Sequence, residues 1–289
     1  MIDAFHTAKS GVTSYQQSLN IVSNNMANAN TTGFKSQRSE FTDLLYQNIR
    51  TGDPTIQGGS GTKIITSTKD LSQGTLDETG RLLDFSILGD GFFAVAKRIP
   101  PNNTGNGNNP GAGIIIDNPV LADTNTITYT RAGDFAISEV EGKNYLVTKN
   151  GEFVLNDKLE TIVLEGDLNN IIFSSPIKPE EPVIPPVVTP PTPPDDIKIL
   201  PKPVSIGIFE FNNPYSLTET GDNKFLNANA GTAAVSYDSI LKQQSLERSN
   251  IDILTEMQRM ITAQRGFQFS SKIIQTADEM EQIANTLSS

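Results

Sequence analysis

Residues 24–41, "NNMANANTTGFKSQRSEF", decide how the chain is read. They close a run in which Phe5, Ala8, Val12, Tyr15, Leu19, Val22 and Met26 recur in alternating steps of three and four, the seam of a heptad helix. Asn and Gly tolerate the left-handed backbone conformation, and Asn side chains bond nearby backbone. Asn24, Asn25, Asn28, Asn30, Thr31 and Gly33 therefore stop this helix and turn the chain. Gly33 is the expected left-handed residue, with Phe34 anchoring the turn and Lys35 and Arg38 on its wet side.

The far end mirrors the first. Ile253, Met257, Met260, Gln264, Phe267, Ser271 and Ile274 repeat the same alternation, and Met280 continues the stripe. Ser249 and Asn250, followed by Asp252 and Glu256, supply a capping signal and first-turn acids. Neither end contains a proline, since none occurs before Pro54 or after Pro214.

Between the ends the chain changes character. "DFSILGDGFFAVAKR", "ITYTRAGDFAISEVEGKNYLVTKNGEFVL" and "SIGIFEF" are short apolar or alternating runs punctuated by Gly, Asn and Asp, the pattern of β-hairpins. Residues 101–113, "PNNTGNGNNPGAG", form a loop too polar to bury a core. Residues 176–203 hold 11 of the 17 prolines and read as an extended polyproline-II spacer. The predicted fold is α+β. An N-terminal helix and turn (1–50) and a C-terminal helix (240–289) pair as a coiled-coil-like domain around a central β-rich domain of hairpins (51–239).

Composition narrows the function classes. Cysteine is absent and His6 is the sole histidine, so disulfides, thiolate nucleophiles, His-based triads and multi-His metal sites are excluded by count. Residues 1–50 carry four basic and three acidic groups and residues 240–289 five and six, which leaves the whole net charge of −11 to the middle. That balance argues against nucleic acid, whose phosphates call for clustered Lys and Arg. No apolar run reaches the 18 to 20 or so residues of a membrane span, and "MIDAFHTAKS" lacks the basic and apolar regions of a cleaved signal peptide. "GDGFFAV" has no phosphate-loop Lys and runs into a strand, not a helix. The carboxylates Asp77, Glu78 and Asp84 are no more than a chance cluster among 33 acids. The expectation is a non-enzymatic protein without cofactor or metal.

"NNMANANTTGFKSQRSEFTDLLYQ" also resembles the N-terminal signature of bacterial flagellar rod and hook proteins, carried here by Asn24, Asn25, Met26, Ala27, Asn28, Thr31, Gly33, Phe34 and Lys35. "LERSNIDILTEMQRMITAQRGFQFSSKIIQTADEM" is similar to the same family's C-terminal segment. The order of "SQGTLDETGRLLDFSILGDGFFAV", "YTRAGDF" and "LVTKNGEFVL" follows its central β pattern. Within the family, "FTDLLYQNIR" followed by "TGDP" is most similar to the distal-rod subunit. A proximal-rod or hook subunit is the alternative, and a secreted adhesin or cell-wall module the remote one. The resemblance implies a subunit exported by the flagellar type III apparatus to the basal body, outside the cytoplasmic membrane. Its partners would be copies of itself in a helical homopolymer and the neighbouring rod and hook proteins. The assembly interface would be formed by Phe5, Val12, Tyr15, Leu19, Val22, Met26, Ile253, Met257, Met260, Gln264, Phe267, Ile274 and Met280.

Overall fold

The computed structural model describes residues 2–48, 57–97, 127–140, 142–164, 171, 173–176, 204–227 and 233–287. The expected Asn/Gly loop at 101–113 and all but the first residue of the proline-rich segment 176–203 lie outside them. The chain divides into two compact units, one formed by residues 1–74 with 249–289 and the other by residues 75–248.

The first unit is built from both ends of the chain. Helix α1 (Ile2–Ala27) is followed by strands β1 (Gln37–Asp43), β2 (Tyr46–Asn48), β3 (Gln57–Gly59) and β4 (Thr62–Lys69), and helix α2 (Ile253–Leu287) completes it. β1 pairs antiparallel with β4, and β2 with β3, as two rungs of one long ribbon with a bulge between Glu40 and Phe41. The ribbon lies along α1. Ser14 donates its hydroxyl to the Thr62 carbonyl at 3.1 Å, and Ser18 and Ser39 share a hydrogen bond of 3.2 Å.

The helices run antiparallel in a fixed register. Gly11 faces Ser270, Tyr15 faces Gly266 and Asn25 faces Glu256, so that each facing pair of residue numbers totals 281. Gly266 makes room for the Tyr15 ring in this approach: a Cβ built there would lie 2.4 Å from Cζ of Tyr15, so that any side chain would displace the ring. The buried residues of α2 are Glu256, Ala263, Ser270 and Ala277, one every seven residues. A repeat of seven keeps one stripe on the partner helix over many turns.

The second unit contains β5 (Leu76–Glu78), β6 (Phe85–Leu88), β7 (Phe92–Ala96), β8 (Ile127–Thr130), β9 (Ala136–Val140), β10 (Lys143–Val147), β11 (Phe153–Val154) and β12 (Val163–Leu164). These are followed by β13 (Phe173–Ser174), β14 (Val204–Ser205), β15 (Ile208–Glu210), β16 (Thr218–Gly221), β17 (Lys224–Leu226), β18 (Ala234–Val235), β19 (Ile240–Gln243) and β20 (Ser245–Glu247). Ten strands form one sheet along the path β12-β10-β11-β7-β8-β17-β16, with β15 and β18 branching from β7 and β9 from β10. β7 is buried at every position, which is why its sequence reads as an unbroken apolar run and not an alternating one. Phe85, Phe93 and Phe135 stack edge-on or tilted in the core with Ile87, Leu146 and Ile208.

A buried ion pair ties β8's end to the unit's last strand: Arg131 donates to Glu247 at 3.0 Å and to the Gly89 carbonyl at 2.7 Å. The chain enters and leaves this unit at adjacent points. β5 pairs with β20, and the Arg248 amide donates to the Thr75 carbonyl at 2.9 Å.

Candidate assembly site

The turn after α1 is held by the asparagines that announce it. The Asn28 side-chain amide donates to the carbonyl of Asn24 at 2.9 Å and to its side-chain oxygen at 2.8 Å, and its own oxygen accepts from the Thr31 hydroxyl at 3.1 Å. These bonds reinforce the last turn, whose Asn24 carbonyl also accepts the Asn28 N–H at 3.1 Å. Asn30 is exposed. Gly33 is buried at φ +66°, the left-handed conformation expected of it. Phe34 is half-buried, with the Lys69 ammonium 5.9 Å from its ring centre.

Asn25, 1% exposed, does the joining. Its amide donates to the Gln37 carbonyl at 2.8 Å while its oxygen accepts the Gln37 N–H at 3.0 Å, which docks the first residue of β1 onto α1 as a strand partner would. The same amide donates to the buried Glu256 carboxylate at 3.2 Å, and Arg259 reaches the other oxygen of Glu256 at 2.5 Å. One side chain thereby links α1, the ribbon and α2.

Two expectations are corrected here. Arg38 is exposed as predicted, but Lys35 is buried at 1% exposure and does not face water. Its ammonium donates to the Ser72 carbonyl at 2.7 Å, which offsets part of the cost of burying the group. Asn250 does not cap α2. It accepts the Ser36 N–H at 2.8 Å and donates to the Asp70 carbonyl at 2.8 Å. The cap is Asp252, whose carboxylate takes the Leu254 N–H at 3.1 Å and the Thr255 hydroxyl at 2.5 Å. Those two hydrogen bonds, the hydroxyl's first, hold its pKa below the usual value. Asp70 is lowered in the same way, by the Ser72 hydroxyl and then the Ser72 backbone N–H.

The predicted seam divides. Val22 is buried, and Val12, Tyr15, Leu19, Met26, Met260, Phe267 and Ile274 are half-buried. Phe5, Ile253, Met257, Gln264 and Met280 are exposed. The line of closest helix contact is rotated about one residue from the apolar seam and is made of Gly11, Ser18, Ala263, Gly266, Ser270 and Ala277. Hydrophobicity passes over such residues, although their spacing of seven along α2 is visible. The exposed apolar side of α2 comprises Ile253, Leu254, Met257, Ile261, Phe269, Met280, Ile283 and Leu287, each 47–83% exposed. Beside the helix pair, Tyr15, Ile21, Val22, Phe41 and Ala263 floor an open groove of 450 Å³, with Arg38 and Arg259 on its rim. Among the described residues no group of three or more His, Cys, Asp or Glu is arranged to hold a metal ion, and no helix is long and apolar enough to cross a membrane.

A helix pair made from both chain ends, carrying this turn, defines a class that comparison with known proteins makes specific. Residues 5–35 match the family described as Flagella basal body rod protein, and residues 242–287 match Flagellar basal body rod FlgEFG protein C-terminal. The chain is 33% identical to the flagellar basal-body rod protein FlgG of Borreliella burgdorferi over 99% of both chains. It is 31% identical to FlgG of Caulobacter vibrioides over 100% of both, and 32% identical to FlgG of Bacillus subtilis over 98% of this chain and 97% of that one. The chain belongs to the flagellar basal-body rod protein family.

Proposed function

We propose that this chain is a structural subunit of the flagellar rod, most specifically of its distal part. In this reading the flagellar type III apparatus exports it to the basal body, outside the cytoplasmic membrane. There it polymerises helically with copies of itself and joins neighbouring rod and hook proteins. The observation that carries the reading is the exposed apolar side of α2, whose large side chains are 47–83% exposed in the single chain. Soluble monomers rarely leave so much contiguous apolar surface open, whereas interfaces do. The predicted interface residues Ile253, Met257 and Met280 lie on that open surface and Met260, Phe267 and Ile274 on the same helix are half-buried; on α1, Phe5 is exposed and Val12, Leu19 and Met26 are half-buried. Ring-closed assemblies need a self-complementary patch or a closing rotation, and a helical rod needs neither. Gold-labelling of the chain in isolated hook-basal bodies tests the proposal. Label confined to the rod segment next to the hook is expected; label on the proximal rod or the hook reassigns the segment, and its absence from the particle overturns the reading.

A further inference from the structure

Resting on the rod reading, we infer that the last two turns of α2, Met280–Leu287, are a peg that inserts into the groove between α1, β1 and α2 of a second copy of this chain. The helix register isolates the peg. Facing residues total 281, so Ile2, the first residue of α1, lies opposite residue 279, and every residue from Met280 to Leu287 is exposed. Met280, Ile283 and Leu287 fall three to four residues apart on one face, the spacing by which an amphipathic helix fills an apolar groove.

The groove offers the matching surface. Its floor is apolar and its rim carries Arg38, together with Arg259, whose charge is met by the one acid of the lining, Glu256. The peg carries Glu281; Asp278 and Glu279 immediately precede it, and no Lys or Arg occurs from residue 273 to 289. Charge complementarity of this kind selects the partner and fixes its orientation. A chain cannot fill its own groove. The groove sits along α2 around Gln258 and the peg around Ile283, about 37 Å apart at the 1.5 Å rise of a helix. Each copy therefore presents one peg and one groove facing different neighbours, a head-to-tail contact that leaves the polymer open at both ends.

The test exploits the absence of cysteine. In a flagellated strain expressing only the double variant Gln258→Cys with Ile283→Cys, hook-basal bodies are isolated, oxidised and resolved without reductant. The two thiols sit on one rigid helix, too far apart for an intrachain disulfide, whose Cα atoms must lie within about 7 Å. A ladder of linked multimers, lost in both single variants, is the expected result. Incorporation without a ladder overturns the inference while leaving the rod reading intact; a wild-type chain missing from the particles overturns both. A charge exchange gives the second arm. Arg38→Glu alone, or Glu279→Lys with Glu281→Lys alone, is expected to cut incorporation about tenfold or more, because like charges then face each other. Combining the three restores it. A combined variant no better than its parts overturns the inference.

Discussion

Replacing Asn25 by Asp changes one atom and tests the junction most sharply. The side-chain NH2 that donates to the Gln37 carbonyl at 2.8 Å and to Glu256 at 3.2 Å becomes an oxygen. One neutral hydrogen bond, worth about 1 kcal/mol, and one to a carboxylate, worth about 1.5–3 kcal/mol, are lost. Two carboxylates about 3.2 Å apart add a repulsion of roughly 5 kcal/mol at an effective dielectric constant of ~20, which proton uptake relieves in part. The net loss expected near neutral pH is about 3–5 kcal/mol. The introduced carboxyl has a folded-state pKa raised above its unfolded value, so the folded state retains a proton that the unfolded state releases. The repulsive part of the deficit is full above the raised folded pKa, shrinks as pH falls through it, and is gone below the unfolded carboxyl pKa of about 4. Asn25→Ala, with no titratable group, loses about 2–4 kcal/mol from the same bonds without that pH trend. Urea unfolding followed by far-UV circular dichroism, to which the two helices contribute most, measures both. An Asp variant within 0.5 kcal/mol or so of wild type, or one whose deficit is flat with pH, refutes the argument.

Gly33→Val places a β-branched residue at φ +66° and is expected to cost about 1–2 kcal/mol, while Gly33→Asn costs less; equal motility of the two variants contradicts the turn geometry. Asp252→Ala removes the α2 cap and lowers the urea midpoint at neutral pH. Because the Asp252 pKa is lowered in the folded state, that contribution is full above the unfolded pKa and fades as pH drops through the folded one, so the two proteins converge in acid. Glu247→Ala strips the carboxylate from Arg131, where the two side chains are 1% and 3% exposed, and should destabilise residues 75–248 by about 3 kcal/mol or more. A loss under 1 kcal/mol or so in thermal unfolding of the whole chain would show that water replaces the pair.

What the sequence made legible was whatever a periodic or conformational rule encodes locally. The heptad steps placed both helices, and the need for a left-handed residue placed Gly33. The apolar run Phe92–Ala96 announced a strand. The face on which the helices meet was not legible, because it is lined by Gly11, Ser18, Ala263, Gly266 and Ser270, whose contribution is closeness of approach and not hydrophobicity. Lys35 and Asn250 were misread for a related reason. Their partners are backbone groups at Ser36, Asp70 and Ser72, and a side chain's backbone partner far along the chain leaves no trace in residue type. Asn25 was visible as part of a turn but not as a strand-like partner for Gln37.

The antiparallel helix pair joins residues some 230 positions apart, since Asn25 bonds Glu256, whereas residues 75–248 form a contiguous unit whose two ends are stitched side by side. The long loop must be closed before the helices gain anything from meeting, and such contacts form late. The enclosed unit shortens that search, because once folded it holds Thr75 and Arg248 together and reduces the effective loop between Ala27 and Ile253 from roughly 225 residues to roughly 50. Maturation is thereby ordered in time. The helix pair on which the proposed assembly rests is completed only after the enclosed domain has formed and the last helix has arrived, so under that proposal a half-finished chain does not start a filament.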